Sequence, residues 1–259
     1  MDLGIQGRKA VVCASSQGLG LACATSLTRE GCRVWINGRT ESRLHEAAAQ
    51  VEAATGRRPA VVVADIATEE GRAALVTACP DADILVNNNA GPAPGSIADW
   101  SERDWREAVE GNMLAPIMLI KAYLPGMRER RFGRIVNITS AMVKAPAAAM
   151  GLSASVRAGL TALSKSVQRD AVADNVTINN LLPERFDTDR QRFMAERMSK
   201  LEGIGVDEAR KRIASTIAAK RLGRPEEFGD ACAYLCSEQA GFISGQNLQL
   251  DGGSYPGLM

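Results

Sequence analysis

The sequence predicts an α/β fold in which one doubly wound parallel sheet of about seven strands carries helices on both faces. Short apolar runs alternate with longer segments of helical periodicity along the whole chain, and no repeat or linker interrupts them. Several of these runs are apolar throughout, which is typical of parallel strands buried on both faces. A chain of 259 residues suits one domain of this kind, so we expect a single domain over residues 1–259.

Composition narrows the classes of function. Hydrophobic residues make up 46% of the chain, and the net charge of +1 argues against a nucleic-acid or anionic-membrane partner. No apolar run reaches the ~18 residues that a membrane helix needs, and the N-terminus lacks the regions of a signal peptide. We therefore expect a cytoplasmic protein without a membrane or nucleic-acid partner.

The six cysteines and the single histidine, His45, do not form a metal-binding pattern. The cysteines are scattered along predicted strands and helices, and none forms a CxxC pair with a nearby histidine. Buried reduced thiols are therefore predicted, and no metal site is expected.

The opening unit, residues 9–27, passes from an apolar run through a turn of small residues into a helical pattern. Gly18 and Gly20 lie where this helix begins, so free N–H groups and the positive end of the helix dipole would form an anion site. A glycine pair also lets a pyrophosphate approach the backbone closely. Ala14 stands where the usual three-glycine fingerprint begins. The turn alone leaves two readings open, a Rossmann-type dinucleotide site and a tight strand-to-helix connection.

The second predicted strand, residues 33–37, is followed by Arg39 and by a helix over about 41–55. In a dinucleotide fold this strand end meets the adenosine ribose, where an acidic residue would bind the 2′-hydroxyl and an arginine would accommodate a 2′-phosphate. Arg39 therefore favours NADP(H) over NAD(H) as the cofactor. The alternative is a solvated arginine at a helix N-terminus.

The rest of the chain continues the alternation. Strands are predicted at residues 59–64, 82–87, 134–139, 176–182 and 247–250, and helices at 68–79, 105–127, 153–172 and 224–237. The charged, amphipathic stretch at about 184–219 is longer than a connection needs, and we interpret it as a helical lid over a site. Because ligands bind at the carboxyl ends of parallel strands, Gly18, Asn89 and Ser140 should meet there.

Three consecutive amides, Asn87, Asn88 and Asn89, end the fourth predicted strand. Buried amides are costly unless they form hydrogen bonds. We expect them to lock neighbouring loops, to face the cofactor, or to do both.

Taken together, these motifs resemble the short-chain dehydrogenase/reductase family over about residues 3–253, and most closely its 3-oxoacyl-carrier-protein reductase-like members. The matching pieces are ASSQGLG at 14–20, NNAG at 88–91, Asn112 in the long helix, IVNITS ending at Ser140, INNLLPE around Asn179 and Pro183, RLGRPEE at 221–227 and FISGQNLQLDGG near the end. The resemblance implies a small-molecule or acyl-thioester substrate. It also implies a homotetramer joined partly through the helices at 105–127 and 153–172.

The resemblance also implies the cofactor contacts. Gly18, Leu19 and Gly20 would line the pyrophosphate, and Arg39 the 2′-phosphate. Asp65 and Ile66 would flank the adenine, Asn89 would face the ribose, and Thr188 would touch the nicotinamide end. The full set of expected cofactor-binding residues is Ala14, Ser16, Gln17, Gly18, Leu19, Gly20, Arg39, Asp65, Ile66, Asn89, Ala90, Gly91, Pro183 and Thr188.

The chain departs from the family at the catalytic motif. The family's Tyr-x-x-x-Lys motif begins thirteen residues after the catalytic serine, which from Ser140 leads to Ser153 and then to Arg157. The family tyrosine donates the proton that accompanies hydride transfer, and the lysine lowers its pKa. A serine hydroxyl is a much weaker acid than a phenol, whose pKa is about 10, and an arginine does not relay protons as lysine does. The usual general acid is therefore missing.

Lys144, four residues beyond Ser140, is the best-placed substitute donor in the sequence, although a solvated loop lysine is the alternative. The candidate catalytic residues are Asn112, Ser140, Lys144, Ser153 and Arg157. Nearby, Glu184 and Arg185 replace the Gly-aliphatic pair that in the family usually follows the proline at the end of the sixth strand, here Pro183. This departure indicates an altered pocket.

Three functions remain open on the sequence. The first is an NADP(H)-dependent carbonyl reductase whose proton comes from a substitute acid, water or the substrate. The second is a reductase of a conjugated C=C bond, where solvent can supply the proton. The third is a nucleotide-binding protein without turnover, acting as a sensor or as the partner subunit of an active relative.

Overall fold

Seven parallel strands form one sheet in the order β3-β2-β1-β4-β5-β6-β7. The computed structural model describes residues 1–258, so position 259 of the predicted domain lies outside the described residues. The strands are β1 (Lys9–Val12), β2 (Arg33–Gly38), β3 (Ala60–Val63), β4 (Ile84–Asn87), β5 (Gly133–Ile138), β6 (Val176–Pro183) and β7 (Asn247–Leu250). The strand order reverses between β1 and β4, which opens a crevice at their carboxyl ends.

Helices cover both faces of the sheet, and the predicted fold class is confirmed. They are α1 (Gly18–Arg29), α2 (Glu41–Thr55), α3 (Glu69–Ala78), α4 (Glu102–Val109), α5 (Ala115–Glu129), α6 (Gly151–Ala171), α7 (Asp189–Glu202), α8 (Val206–Thr216) and α9 (Pro225–Leu235). Apolar side chains of α1, α2 and α9 pack on one face of the sheet, and those of α3, α5 and α6 on the other. The two cores fix the strand ends where the crevice opens.

The helix predicted at 105–127 differs from the observed one in both its start and its continuity. It begins three residues earlier, where Ser101 Oγ accepts a hydrogen bond from the Asp104 amide and the Ser101 amide donates one to the Asp104 carboxylate. A π-helical turn, Glu110–Leu114, then separates α4 from α5. Such turns are frequent at functional sites, and this one carries Asn112.

A line of asparagine side chains crosses the sheet through four neighbouring strands. The parallel register places Asn87, Asn137, Asn180 and Asn247 side by side on β4, β5, β6 and β7. Asn87 Nδ2 donates to Asn137 Oδ1 over 2.9 Å, Asn137 Nδ2 to Asn180 Oδ1 over 3.0 Å, and Asn180 Nδ2 to Asn247 Oδ1 over 2.8 Å. Asn87, predicted to lock neighbours or face the cofactor, therefore cross-links the sheet.

The predicted helical stretch at 184–219 contains α7 and α8, which share a small apolar cluster around Ala195, Ala209 and Ile213. Two arginines of α7 bind the loop after β4. Arg190 Nη2 donates to the Pro92 carbonyl over 3.0 Å, and Arg197 Nη1 to the Pro94 carbonyl over 3.0 Å. These bonds hold α7 over the carboxyl ends of the strands.

All six cysteines are buried and form no disulfide bonds, as predicted. Burial raises the pKa of the Cys79 thiol to about 11, so this side chain stays a neutral thiol. Among residues 1–258, none of the helices has the length and apolar character to cross a membrane.

Candidate active site

A cavity of about 570 Å³ opens at the carboxyl ends of the strands, a size typical of small-molecule and cofactor sites. Most of the residues predicted to form the site line it. They are Ala14, Ser16, Gln17, Gly18, Leu19, Arg39, Asp65, Ile66, Asn89, Ala90, Gly91, Ser140, Ser153, Arg157, Pro183 and Thr188. Gly20, Asn112 and Lys144 were predicted with them, but they do not line this cavity.

The turn between β1 and α1 depends on two glycines. Gly18 has a φ of +58°, a conformation that favours glycine. A Cβ on Gly20 would lie 2.5 Å from the Ala14 carbonyl oxygen and 2.8 Å from Asn88 Nδ2. Gly20 was predicted to contact the cofactor, but the structure buries it beneath the cavity, where it allows α1 to pack closely against the turn.

The helix N-termini that face the cavity are not capped by side chains. Gln17, Thr40 and Thr188 precede α1, α2 and α7, line the cavity, and make no capping hydrogen bond. Elsewhere, Thr68 and Ser101 cap α3 and α4 through their hydroxyl oxygens. Uncapped N–H groups and helix dipoles favour anions, so this part of the cavity suits the phosphates of a dinucleotide.

Arg39 lies at the end of the cavity formed by β2 and β3. Its side chain is 73% exposed, and Nη1 is 3.8 Å from Oδ2 of Asp65, which follows β3. The sequence has no acidic residue next to Arg39 at the end of β2. The fold brings one, Asp65, from the end of the neighbouring strand β3. An exposed ion pair of this kind contributes little stability, so the guanidinium remains open to an anion. Arg43 also lines this end, and the sequence analysis missed it.

The other two strand-end asparagines bind neighbouring backbone. Asn88 Nδ2 donates to the Ala14 carbonyl over 3.0 Å, and Asn89 Nδ2 to the Gly111 carbonyl over 2.9 Å. Both residues also line the cavity. They therefore lock loops while facing the space where a cofactor would lie.

Arg157, on α6, connects β5 to the loop after β4. Its Nη1 donates to the carbonyls of Ile138 and Thr139 over 2.7 and 3.0 Å, and its Nε donates to Ser153 Oγ over 3.3 Å. The side chain is buried and has backbone dipoles rather than a carboxylate as partners. Burial, reinforced by Arg190, lowers the Arg157 pKa to about 10. The guanidinium still stays charged at neutral pH.

Ser140 and Asn112 line two adjoining cavities. Ser140 lines the main cavity, and its Oγ accepts a hydrogen bond from the Met142 amide over 3.2 Å. Asn112 is buried in the π-helical turn and donates to the Ala90 carbonyl over 3.3 Å. It lines a small adjoining cavity of about 10 Å³, which Arg157 also lines. Asn112 Oδ1 is buried without a hydrogen-bond partner.

Comparison with known proteins identifies the family. A family model described as enoyl-(acyl carrier protein) reductase matches residues 13–255. The chain belongs to the short-chain dehydrogenase/reductase family. The fold agrees closely with solved members: L-sorbose reductase from Gluconobacter frateurii, complexed with NADPH and L-sorbose, has a TM-score of 0.94 and 31% identity, with 100% of both chains covered.

Two curated relatives match over nearly their whole length. The NADPH-dependent reductase BacG of Bacillus subtilis is 32% identical over 256 residues, which cover 97% of this chain and 99% of that protein. The 3-oxoacyl-acyl-carrier-protein reductase FabG of Escherichia coli is 29% identical over 254 residues, covering 98% and 99%.

In this protein, Lys144 does not line the cavity. It follows the short 3₁₀ turn Ala141–Val143, and its Nζ lies 5.5 Å from the centre of the Tyr255 ring. Of the other tyrosines, Tyr123 is buried and donates to the Leu75 carbonyl over 3.3 Å, while Tyr234 lies on α9. The spacing from Ser140 did not predict the direction that this loop takes.

Glu184 directly follows β6 and lines the cavity. The sequence identifies Glu184 as a departure from the family pattern but does not indicate its role. Its side chain is 19% exposed, and Arg185 Nε lies 3.5 Å from its Oε1. Burial raises the pKa of the Glu184 carboxyl, and nearby Asp251 acts in the same direction, whereas Arg185 opposes both. The cavity therefore contains a half-buried carboxyl group directly after β6.

Proposed function

We propose that this protein is an NADPH-dependent reductase of a carbonyl substrate, either a small ketone or a 3-oxoacyl thioester. The observation that carries the proposal is one continuous cavity with two chemically different ends. Uncapped helix N-termini and Arg39 lie towards one end, and Ser140 and Ser153 lie towards the other. Two relatives, an NADPH-dependent reductase and an L-sorbose reductase complexed with NADPH, support this proposal.

The residues present fit a reduced dinucleotide. In this proposal the amides of Gly18 and Leu19 bind the pyrophosphate, and Arg39 with Arg43 binds the 2′-phosphate. Asp65 and Ile66 would flank the adenine, and Asn89 would face the ribose. NADPH, when bound, supplies the hydride. Every remaining requirement of the reaction, orientation and proton transfer above all, falls on the protein's own side chains.

The proposed active site is atypical because Ser153 and Arg157 take the positions of the family's tyrosine and lysine. Arg157 supplies a fixed positive charge whose position is set by the carbonyls of Ile138 and Thr139. Ser153 accepts its hydrogen bond from Arg157, which leaves the hydroxyl proton to orient a carbonyl oxygen in the cavity. A serine orients well but is a poor acid, and losing a positioned acid typically costs about 10²- to 10⁴-fold in rate.

The stretch at about 184–219 is proposed to act as a lid. Its helix α7 lines the cavity through Arg190 and Phe193 and reaches the loop after β4 through Arg190 and Arg197. Opening would break these two arginine–carbonyl hydrogen bonds, while closure excludes water from the reacting groups.

The test separates turnover from simple binding. Calorimetric titration measures NADPH affinity, and loss of NADPH absorbance is then followed with a panel of ketones and 3-oxoacyl thioesters. Substrate-dependent oxidation with formation of the alcohol would support the proposal. If NADPH binds tightly but none of the substrates causes its oxidation, the result would instead support a nucleotide-binding protein without turnover.

A second candidate, reduction of a conjugated C=C bond, is favoured by the matching family model, which is described as an enoyl reductase. Such a reaction can take its proton from solvent, which suits a site with a weak serine donor. Product analysis distinguishes the two: a 2-enoyl or dienoyl substrate would lose one C=C bond with its carbonyl intact, whereas carbonyl reduction gives the alcohol.

A further inference from the structure

The cavity contains few side chains that could donate a proton at neutral pH. Of the described residues that line it, none is a tyrosine, histidine, lysine or cysteine. The carboxyl groups that line it belong to Asp65, Glu184 and Asp189. The guanidinium groups of the buried Arg157 and the exposed Arg190 keep their protons at neutral pH. A proton donor in this cavity must therefore be a carboxyl group, or a hydroxyl group supplied by serine, threonine or water.

Of the carboxyl groups, only Glu184 combines burial with the right place. Asp65 is 40% exposed and lies beside Arg39, at the end of the cavity formed by β2 and β3. Asp189 is exposed in the first turn of α7. Glu184 is 19% exposed and has lost much of its hydration.

The sheet register places Glu184 and Ser140 at the same edge of the sheet. Ile138 of β5 pairs with Leu181 of β6, and the Thr139 amide donates to the Leu181 carbonyl. Ser140 and Glu184 therefore leave neighbouring parallel strands at the same edge of the sheet, and both line the cavity. The Glu184 amide donates to the Leu250 carbonyl over 3.2 Å, which fixes the backbone at this position.

The charged groups around Glu184 come from several elements. Asp251, after β7, favours the protonated carboxyl, and Arg185, next in the chain, favours the carboxylate. Arg157 of α6 and Arg190 of α7 add positive charge to the cavity walls. Burial outweighs the attraction of Arg185, so the carboxyl pKa is raised. Arg185 Nε is buried without a hydrogen-bond partner and lies 3.5 Å from Glu184 Oε1, where it can stabilise a newly formed carboxylate.

We propose that Glu184 is the proton donor of this site and takes over the task of the family tyrosine. The proposal rests on the proposed carbonyl reduction. The hydride supplied by the reduced cofactor forms the new C–H bond, and the carbonyl π pair moves to oxygen. That oxygen takes the proton of the Glu184 carboxyl as its O–H bond breaks, so the alcohol and the Glu184 carboxylate form together. The carboxylate regains a proton from water before the next turnover.

The central test compares Glu184→Gln with Asp187→Asn. Gln keeps the shape of Glu but has no acidic proton, and Asp187 is an acid three residues away that lies outside the cavity. We expect Glu184→Gln to lower the rate of carbonyl reduction by about 10²-fold or more while the NADPH affinity changes less than about twofold. Asp187→Asn should leave both quantities unchanged. An unchanged rate in Glu184→Gln would overturn the proposal.

The pH dependence gives an independent readout. The donor must be protonated, so the wild-type rate should be highest at low pH and fall as pH rises through the Glu184 pKa. In Glu184→Gln this descending limb should disappear. Infrared difference spectroscopy of the protein without substrate should show a carboxyl C=O band that persists above the pH at which ordinary glutamates ionise. This band should be missing in Glu184→Gln, and its presence there would contradict the assignment.

These measurements also separate the proposal from the function on which it rests. If the wild type reduces no carbonyl substrate, the proposed function fails, whatever the infrared titration shows. If the wild type turns over and Glu184→Gln retains both its rate and its pH profile, only the role of Glu184 fails. Should Glu184→Gln fold poorly, Glu184→Ala and the wild-type pH profile provide the same decision, with melting temperature as the folding control.

Discussion

Arg157 Nε donates a hydrogen bond to Ser153 Oγ over 3.3 Å, one helical turn away on α6. Because the guanidinium also binds the carbonyls of Ile138 and Thr139, it cannot move without breaking the contact between α6 and the end of β5. The pair therefore fixes the serine hydroxyl at the cavity wall. It also occupies the region that a tyrosine and a lysine would need.

The first prediction concerns this pair. In the Glu184→Gln background, the double change Ser153→Tyr with Arg157→Lys should raise the rate of carbonyl reduction, because it supplies a phenol and an ammonium group beside Ser140. Tyrosine alone should help less, since Arg157 is held by the carbonyls of Ile138 and Thr139 and does not relay a proton as lysine does. The rate of NADPH oxidation measures the effect. A double variant no faster than the Glu184→Gln parent, at equal stability, would contradict the prediction.

Stability must be measured alongside that rate. Ser153 and Arg157 are both buried, and Met150 lines the cavity beside them. Adding an aromatic ring to a packed site commonly costs about 1–3 kcal/mol. We therefore expect the melting temperature of the double variant to fall, and urea unfolding to report the change in the free energy of unfolding.

The second prediction concerns cofactor choice. We expect tighter binding of NADPH than of NADH, and Arg39→Ala should lower the NADPH affinity by about tenfold or more, because a charge-assisted hydrogen bond contributes about 1.5–3 kcal/mol. Asp65→Asn should strengthen NADPH binding, since it removes the carboxylate that lies 3.8 Å from Arg39. Calorimetric titration of both cofactors tests this, with Arg58→Ala as a control outside the cavity. Equal affinities for the two cofactors in the wild type would refute the prediction.

The third prediction concerns the asparagine line across the sheet. Asn137→Ala removes the partner of Asn87 Nδ2 and the donor to Asn180 and Ser164, all in the buried interior. Each buried group left without a partner costs about 1–3 kcal/mol, so we expect the free energy of unfolding to drop by about 3 kcal/mol. Asn247→Ala, at the half-buried end of the line, should cost less. Urea denaturation compares the two, and equal small losses would show that the line contributes little.

The fourth prediction is a homotetramer. Phe242 is fully exposed, and Leu248 on the edge strand β7 is 41% exposed, so an apolar surface lies beside unpaired strand groups. Light scattering at micromolar concentration should give the mass of four chains, and Phe242→Glu should reduce it. Leu201→Glu, which adds the same charge at an exposed apolar side chain on α7, should not. A monomeric mass for the wild type would exclude the prediction.

Local chemistry made much of the fold predictable. Apolar runs such as those of β1 and β4 and the helical periodicity between them depend on neighbouring residues alone. The strand predicted at 247–250 and the helix predicted at about 41–55 match β7 and α2 at both ends. The glycine turn before α1 was predictable for the same reason, because glycine has no Cβ and adopts the positive φ found at Gly18 without steric cost. The seven-strand parallel sheet follows from repeating such units.

Contacts between distant elements were decided only by the tertiary structure. Spacing along the sequence gives the distance between residues in one segment. The direction of a side chain depends instead on the elements that pack against it. Asp65 reaches Arg39 because β3 pairs with β2, and Lys144 leaves the cavity because the turn after Ser140 carries it towards Tyr255. Gly20 lies under the cavity rather than in it. Glu184 lines the cavity as a half-buried acid because β6 ends beside β5, and only that packing removes water from around its carboxyl group and raises the carboxyl pKa.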